Sequence, residues 1–344
     1  MHYNNIPINW NEVHGVIDNA NKIMLTTHEN PDGDGLGSES GLYYHLNDKG
    51  RDVRIINYSP LPNEYEYLND DNIFESYDQS THDPWLKNVD LVIIFDVGDY
   101  VRIRTLTNAI EKYDLDTMNI DHHPHINDDI FTHNLVDLSA AATGCMVYDY
   151  LKVARDDDQP IEKSSLEGIY TAVMTDTGCF RYSNTDNKCH EIAIQCLDAG
   201  IETHKIYQRI YENSTRSRIK LMGEFLSNLT YELDGTIAWF IITMDMMEQA
   251  NAGKSDVEGF SDMVRTISGV EVALMIFEQD SSSCRINFRS KGNYSVNDIA
   301  KTLGGGGHAF AAGALIEGTL SDITRNVVNA TKLSVQNKMN AISR

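Results

Sequence analysis

Cysteine is scarce in this chain. There are 5 in 344 residues, Cys145, Cys179, Cys189, Cys196 and Cys284, and no Cys-x-x-Cys pair among them. An odd, scattered set gives neither a disulfide framework nor a structural zinc site, so the thiols are expected to be buried and reduced. Proline is equally sparse, with 7 residues, while 41% of the chain is hydrophobic and 23% charged, which excludes a disordered tail or a fibre. The apolar runs, such as residues 91–95 and 237–242, fall far short of the roughly 18 residues that cross a bilayer. The opening residues, Met1 to Pro7, carry neither the basic start nor the apolar core of an export signal, so a cytoplasmic location without membrane attachment is expected.

Positive charge is also short. Lys and Arg number 28 against 51 Asp and Glu, a net charge of −23. Residues 228–344 hold 10 against 13, leaving 18 against 38 for residues 1–227, so the acidity belongs to the N-terminal part. A field of that sign repels long polyanions and disfavours long duplex nucleic acid as a partner. It does not exclude phosphates altogether, because bound divalent cations invert the local field. Two nucleotide signatures are missing as well. No Gly-x-x-x-x-Gly-Lys-Ser/Thr occurs, and Gly33-x-Gly35-x-Gly37 lacks the dinucleotide spacing. A calcium loop starting at Asp32 fails at its fifth and twelfth positions, which are Leu36 and Tyr43.

What the chain does contain is an alternation of short β-rich runs with helical patterns. Residues 22–27, 52–57, 89–95 and 117–120 read as strands, several too continuously apolar to have a wet face, which favours a parallel sheet. Helical spacing occupies 38–49, 101–112, 141–153 and 164–175. Residues 190–229 turn polar and helical, and strands return at 236–243, 270–277 and 283–288. The expected architecture is α/β, with a first domain over 1–189, connecting helices over 190–229, a smaller α/β domain over 230–344, and a cleft between the two domains.

The densest group of ligand-type residues follows the first strand: His28, Asp32 and Asp34 within seven positions, in a stretch with Pro31, Gly33, Gly35 and Gly37 that predicts a tight loop. Asp96 ends the apolar run 92–95, Asp121-His122-His123 follows 118–120, and Asp176 follows the helical segment 164–175. In an open parallel sheet, ligands bind outside the carboxyl ends of the strands, so three of these groups should converge there. One Asp at a strand end is ordinarily a turn former or helix cap. Two adjacent imidazoles beside several carboxylates are not explained by capping. So many carboxylates cannot all ionise together without cations, and a thiolate-free set of imidazole and carboxylate suits manganese or magnesium. Two ions about 3.5–4 Å apart would use such a set, activating water and holding a phosphoryl oxygen. His125 and His133 read as ordinary surface or loop histidines. In the C-terminal part, Arg289 and Ser290 end a strand, and Gly304 to Gly307 with His308 form a glycine-rich turn whose N–H groups suit an anion.

At these motifs the sequence resembles the DHH phosphoesterases, named for the triplet that stands here as Asp121-His122-His123, and the segment ending at His308 resembles the companion DHHA1 domain. The NrnA-like subgroup of stand-alone two-domain proteins is the most similar, a group labelled oligoribonuclease, phosphoadenosine-phosphate phosphatase or exopolyphosphatase-related. The resemblance implies one metal held by His28, Asp32 and Asp96, and a second by Asp34, Asp96, His122 and Asp176, with Asp96 bridging. It implies that His123 contacts the scissile phosphate and that Asp121 orients the imidazoles. Arg289, Ser290, Gly305, Gly306, Gly307 and His308 would hold the nucleotide or terminal phosphate, with Arg181 a further candidate. The implied cofactors are two divalent ions, manganese first, with magnesium or cobalt as alternatives, and a homodimer is a family-level expectation. The expected activity is hydrolysis of short oligoribonucleotides to mononucleotides and dephosphorylation of adenosine 3',5'-bisphosphate. Alternatives are a polyphosphate or pyrophosphate hydrolase and a phosphodiesterase for linear dinucleotides of the pApA type. A non-enzymatic nucleotide sensor is disfavoured by so complete a ligand set.

Overall fold

The apolar runs of the N-terminal half become the inner strands of one sheet. In the computed structural model, which describes residues 7–124, 130–155 and 159–342, the strands are β1 (Lys22–Thr27), β2 (Asp52–Asn57), β3 (Phe74–Ser76), β4 (Leu91–Phe95), β5 (Thr117–Asp121) and β6 (His133–Val136). Their order is β3-β2-β1-β4-β5-β6, and every pairing is parallel. β4 and β5 are buried along their whole length, whereas the edge strands β3 and β6 are short and mostly half-buried. Alternation along the inner strands feeds two cores. Ile23, Leu25, Ile93 and Phe95 face a core built with helices α1 (Trp10–Asn19), α2 (Gly33–Asp48), α5 (Thr143–Ala154) and α6 (Lys163–Asp176). Met24, Val92 and Ile94 face the opposite core, under α3 (Gln79–Leu86) and α4 (Leu106–Tyr113). The strand order reverses between β1 and β4, and a sheet of this kind opens its ligand crevice at that point.

Three local expectations need correction. The glycine-rich stretch after His28 is a tight loop only as far as Asp32, because α2 already starts at Gly33, with the Asp32 carboxylate accepting from the N–H groups of Asp34 (3.1 Å) and Gly35 (3.4 Å). Glycine is kept in these first turns because there is no room for a side chain: a Cβ on Gly35 would lie 2.2 Å from Thr27 Oγ1, and one on Gly37 2.3 Å from the Gly168 carbonyl. The helix expected over 101–112 is broken by Arg104 at φ +55° into a 3₁₀ turn, Tyr100–Ile103, and α4. Asp176 is the last residue of α6 rather than a residue beyond it.

The chain divides into two compact units, Met1–Asn213 and Ser214–Arg344. Residues 190–229 therefore do not form a separate connector. Helices α7 (Asn187–Asp198) and α8 (Thr203–Tyr211) bury Ile192, Cys196 and Ile206 in the first core, while α9 (Arg216–Ser227) buries Leu221 and Phe225 against Phe240 and Phe260 of the second unit. The second unit is built on a mixed sheet, ordered β11 (Gly306–His308), β12 (Ala311–Glu317), β10 (Ser283–Ser290), β9 (Val272–Asp280), β8 (Ile237–Ile242) and β7 (Thr230–Glu232). Only β8 and β9 pair in parallel. One face packs on α12 (Asn297–Thr302) and α13 (Leu320–Ile342), the other on α9, α10 (Met244–Ala250) and α11 (Phe260–Arg265). The cysteines are all free, four of them buried. No helix among the described residues is long and apolar enough to cross a membrane.

Candidate metal centre

The carboxyl ends of β1, β4 and β5 deliver His28, Asp96 and the Asp121 to His123 segment to one place. The start of α2 adds Asp32 and Asp34, and the end of α6 adds Asp176. Among the described residues three sets have ligand atoms close enough to share a cation: His28, Asp32 and Asp96; Asp34, His122 and Asp176; and Asp96, His122 and His123. Asp96 stands between them. Its Oδ2 lies 3.7 Å from His28 Nε2, and its Oδ1 lies 3.5 Å from His122 Nε2 and 3.1 Å from His123 Nδ1. His122 Nε2 is also 3.5 Å from Asp34 Oδ2 and 3.7 Å from Asp176 Oδ2. The backbone of Asp96 is left-handed, with φ +53°, a conformation that costs about 1–3 kcal/mol and collects at functional sites.

The second nitrogen of each imidazole decides what the first can do. His28 Nδ1 lies 2.7 Å from the Glu29 carbonyl and His122 Nδ1 3.1 Å from the Ala140 carbonyl, so a proton on Nδ1 leaves the Nε2 lone pair for the cluster. His122 Nε2 is buried and has no hydrogen-bond partner. A buried orphan nitrogen surrounded by three carboxylates beyond hydrogen-bonding distance fits a cation among them. The carboxylates are fixed in turn. Asp34 accepts from the N–H groups of Thr143 (2.7 Å) and Gly144 (2.9 Å) at the start of α5, and Asp121 accepts from Gly98 N–H (2.6 Å) and His123 N–H (2.9 Å). Asp121 Oδ1 is also 3.0 Å from His123 Nδ1.

Charge is strongly frustrated here. Burial opposes protonation of His28, yet Asp32 and Asp96 hold its pKa up at about 10. The same contest leaves His122 at about 9 beside Asp96 and Asp34, and His123 at about 11 beside Asp121 and Asp96. Burial and the neighbouring Asp96 push Asp34 well above the usual carboxylate range, and burial with Asp96 and Asp32 lifts Asp176 to about 6. Burial disfavours ionised Asp96 too, but the three imidazoles outweigh it and keep that carboxyl well below its ordinary value. The side chains themselves answer this field only with protons, which divalent ions would displace.

Sequence reasoning missed a buried network behind the centre. Asn57, at the end of β2, accepts from Thr27 N–H (2.9 Å) and Thr26 Oγ1 (3.1 Å), and its Nδ2 donates to Glu39 Oε2 (2.9 Å). It thereby fixes the strand end that carries His28. The visible signal was a polar residue closing an apolar strand, and Glu39 lies in the segment 38–49 expected to be helical. Burial raises the Glu39 pKa to about 8, against smaller opposing contributions from Asn57 and His28. From its ordinary 4.5 up to about 8 the unfolded chain loses this proton while the folded chain keeps it, so stability falls as pH rises through that window. Glu39→Gln should remove that slope. Its stability advantage over wild type should grow by on the order of a few kcal/mol between pH 5 and pH 8. Urea unfolding at the two pH values checks this, and identical slopes would mean that Glu39 is not neutral when buried.

The substrate-side residues are less free than expected. Arg289 holds Asp262 through Nε (3.0 and 3.1 Å) and donates from Nη1 to the Phe288 carbonyl (3.1 Å). Arg265, absent from the expected set, shares Asp262 at 3.4 Å. Ser290 is buried, and its Oγ accepts from Gly292 N–H (3.2 Å). The glycine run is a hairpin rather than an open anion-binding turn, since Gly306 to His308 pair with Ala311 to Gly313. A Cβ on Gly305 or Gly307 would strike the facing strand at 2.1 or 2.6 Å. Arg181 is exposed and donates from Nε to the Gly178 carbonyl (2.7 Å). His133, expected at the surface or in a loop, is half-buried on the edge strand β6. His125 and the His308 side chain lie outside the described residues.

Comparison with known proteins places this arrangement. The DHH family N-terminal domain matches residues 22–173 and the DHHA1 domain residues 237–333. The bifunctional oligoribonuclease and PAP phosphatase NrnA of Thermus thermophilus is 29% identical over 304 residues, covering 86% of this chain and 84% of that protein. The protein of the same name from Bacillus subtilis is 28% identical over 299 residues, covering 86% and 89%. The crystal structure of an exopolyphosphatase-related protein from Bacteroides fragilis superimposes with a TM-score of 0.89 at 26% identity, covering 97% of each chain. One domain match contains the converging Asp and His residues other than Asp176, which lies three residues beyond its end, and the other most of the mixed sheet, and relatives align across both, so the chain belongs to the DHH family of metal-dependent phosphoesterases.

Proposed function

We propose that this chain hydrolyses short oligoribonucleotides to mononucleotides and removes a phosphate from adenosine 3',5'-bisphosphate, using two divalent ions with manganese preferred. The position of Asp96 carries the metal part of this reading, because each of its oxygens faces a different His and Asp set. His28, Asp32 and Asp96 would hold one ion, and Asp34, Asp96, His122 and Asp176 the other. Bound there, the ions would polarise a phosphoryl oxygen and lower the pKa of water. The chain's own groups do the rest. Asp121 fixes the rotation and the Nδ1 proton of His123, the most exposed of the three imidazoles in the centre, which would meet the scissile phosphate. Asp34 is kept in place by the two N–H groups of α5. In the second unit, Arg289 would offer its guanidinium to a phosphate, with Asp262 holding it until an anion competes for it. The substrate class rests on the relatives, whose names join oligoribonuclease and PAP phosphatase activity.

A competition assay with manganese tests it, offering a diribonucleotide, adenosine 3',5'-bisphosphate and a short polyphosphate together. Release of mononucleotide and of phosphate from the bisphosphate is expected to outpace polyphosphate cleavage by at least about tenfold, a difference of 1.4 kcal/mol in barrier. Preferential polyphosphate cleavage would replace the nucleotide reading with a phosphoanhydride one.

A further inference from the structure

Beside the His and Asp sets stands a cation that belongs to none of them. Arg102 lies in the 3₁₀ turn Tyr100–Ile103, shortly after Asp96. Its main chain is pinned on both sides: the N–H donates to the Asp99 carbonyl (3.0 Å) and the carbonyl accepts from Glu29 N–H (2.8 Å). The guanidinium is half-buried and donates from Nη1 to the Val97 carbonyl (3.2 Å). Among the described residues it forms no ion pair, whereas Arg104, two positions on, is paired with Glu29. Residues 1–213 hold 15 Lys and Arg against 37 Asp and Glu, so carboxylates are not what Arg102 lacks. Its place is defined by Gly98. A Cβ there would have His123 Cβ at 3.6 Å and Arg102 Nη1 at 4.0 Å, so the imidazole and the guanidinium flank the same bare glycine.

A planar fork of donors, most of them unused, fixed next to the imidazole assigned above to the scissile phosphate, is matched to an oxyanion from outside the protein. We propose that Arg102 contacts the substrate directly, donating to a non-bridging oxygen of the scissile phosphoryl group beside His123. The first unit then has its own phosphate anchor, independent of Arg289 and the glycine hairpin. This rests on the phosphoesterase reading above.

The test uses the full manganese-loaded chain with Arg102→Met, which keeps an apolar stem, and Arg102→Lys, which keeps the charge. Calorimetric titration with inorganic phosphate should show about tenfold weaker binding for Arg102→Met and an intermediate value for Arg102→Lys, at unchanged manganese content. Loss of kcat/KM should reach about 10²-fold for the diribonucleotide and the bisphosphate alike. Free guanidinium chloride at millimolar concentration should restore part of it. Phosphate binding and turnover equal to wild type in Arg102→Met would overturn the contact. So would a fall in manganese content, which would make Arg102 a support of the centre, or a loss confined to one substrate, which would move the contact off the scissile group. Were wild type to turn over neither substrate, the functional reading would fail, while the phosphate isotherms would still decide the role of Arg102.

Discussion

Asp96→Asn is expected to lower kcat by ~10³-fold or more, about 4 kcal/mol of barrier, and to reduce bound manganese from two equivalents to one or fewer. Asparagine is the informative choice. Asp96 has a left-handed backbone, which Asn tolerates and Ala adopts only at a cost of about 1–2 kcal/mol, so Asp96→Ala confounds strain with lost charge. Asn preserves the side-chain volume and one oxygen. It removes the negative charge that holds three imidazoles together at 3.1 to 3.7 Å. Activity and metal content should therefore fall together while the fold persists. Manganese can be counted by electron paramagnetic resonance on the dialysed protein, and turnover measured on the same sample. A variant that kept both ions, or near-normal turnover, would sink the bridging role of Asp96.

Much of this centre was legible because sheet topology turns sequence order into spatial order. His28, Asp96 and the Asp121 to His123 segment each follow an apolar strand, and a parallel sheet brings strand ends to one edge whatever lies between them. Asp34 was expected there with the group that follows the first strand, whereas Asp176 follows a helix, and its position depends on how closely α2 and α6 approach each other. The network through Asn57 and Glu39 was not legible. Nothing in a single sequence pairs residue 57 with the N–H of residue 27, and a glutamate in a helix ordinarily points to water. The surroundings of the substrate-side residues were hidden for a related reason. A glycine run reads as exposed N–H groups, but β12, a few residues later, supplies partners for part of them. Asp262, 27 residues before Arg289, is likewise invisible as its partner until β10 and α11 are packed. Local motifs report which atoms are present, and long-range pairing decides which remain free.

The glycines that misled the loop assignment lead to the second large effect. Gly37→Ala should destabilise the protein by about 3 kcal/mol, although the same change in an ordinary helix stabilises it by up to about 1 kcal/mol. The new Cβ would lie 2.3 Å from the Gly168 carbonyl oxygen and 2.8 Å from the Ala172 nitrogen. Both are backbone atoms of α6 and cannot rotate aside, so the two helices must separate. The contact is reciprocal, since a Cβ on Gly168 would meet the Gly37 carbonyl at 2.6 Å, and one on Gly144 of α5 would meet Ala172 Cβ at 2.4 Å. These helices also carry ligands: Asp34 rides on the first turn of α2, Asp176 on the last residue of α6, and the start of α5 holds Asp34 through two N–H groups. Separating α2 from α6 should therefore weaken manganese binding even where the protein remains folded. Gly15 of α1 provides the control, because a Cβ there meets nothing within 4 Å. Gly15→Ala should gain stability and leave the manganese isotherm unchanged. Denaturant unfolding and metal titration of the two variants separate helix propensity from helix contact. If Gly37→Ala gained stability as Gly15→Ala should, α2 and α6 could not be in backbone contact, and the spacing of Asp34 from Asp176 would need another cause.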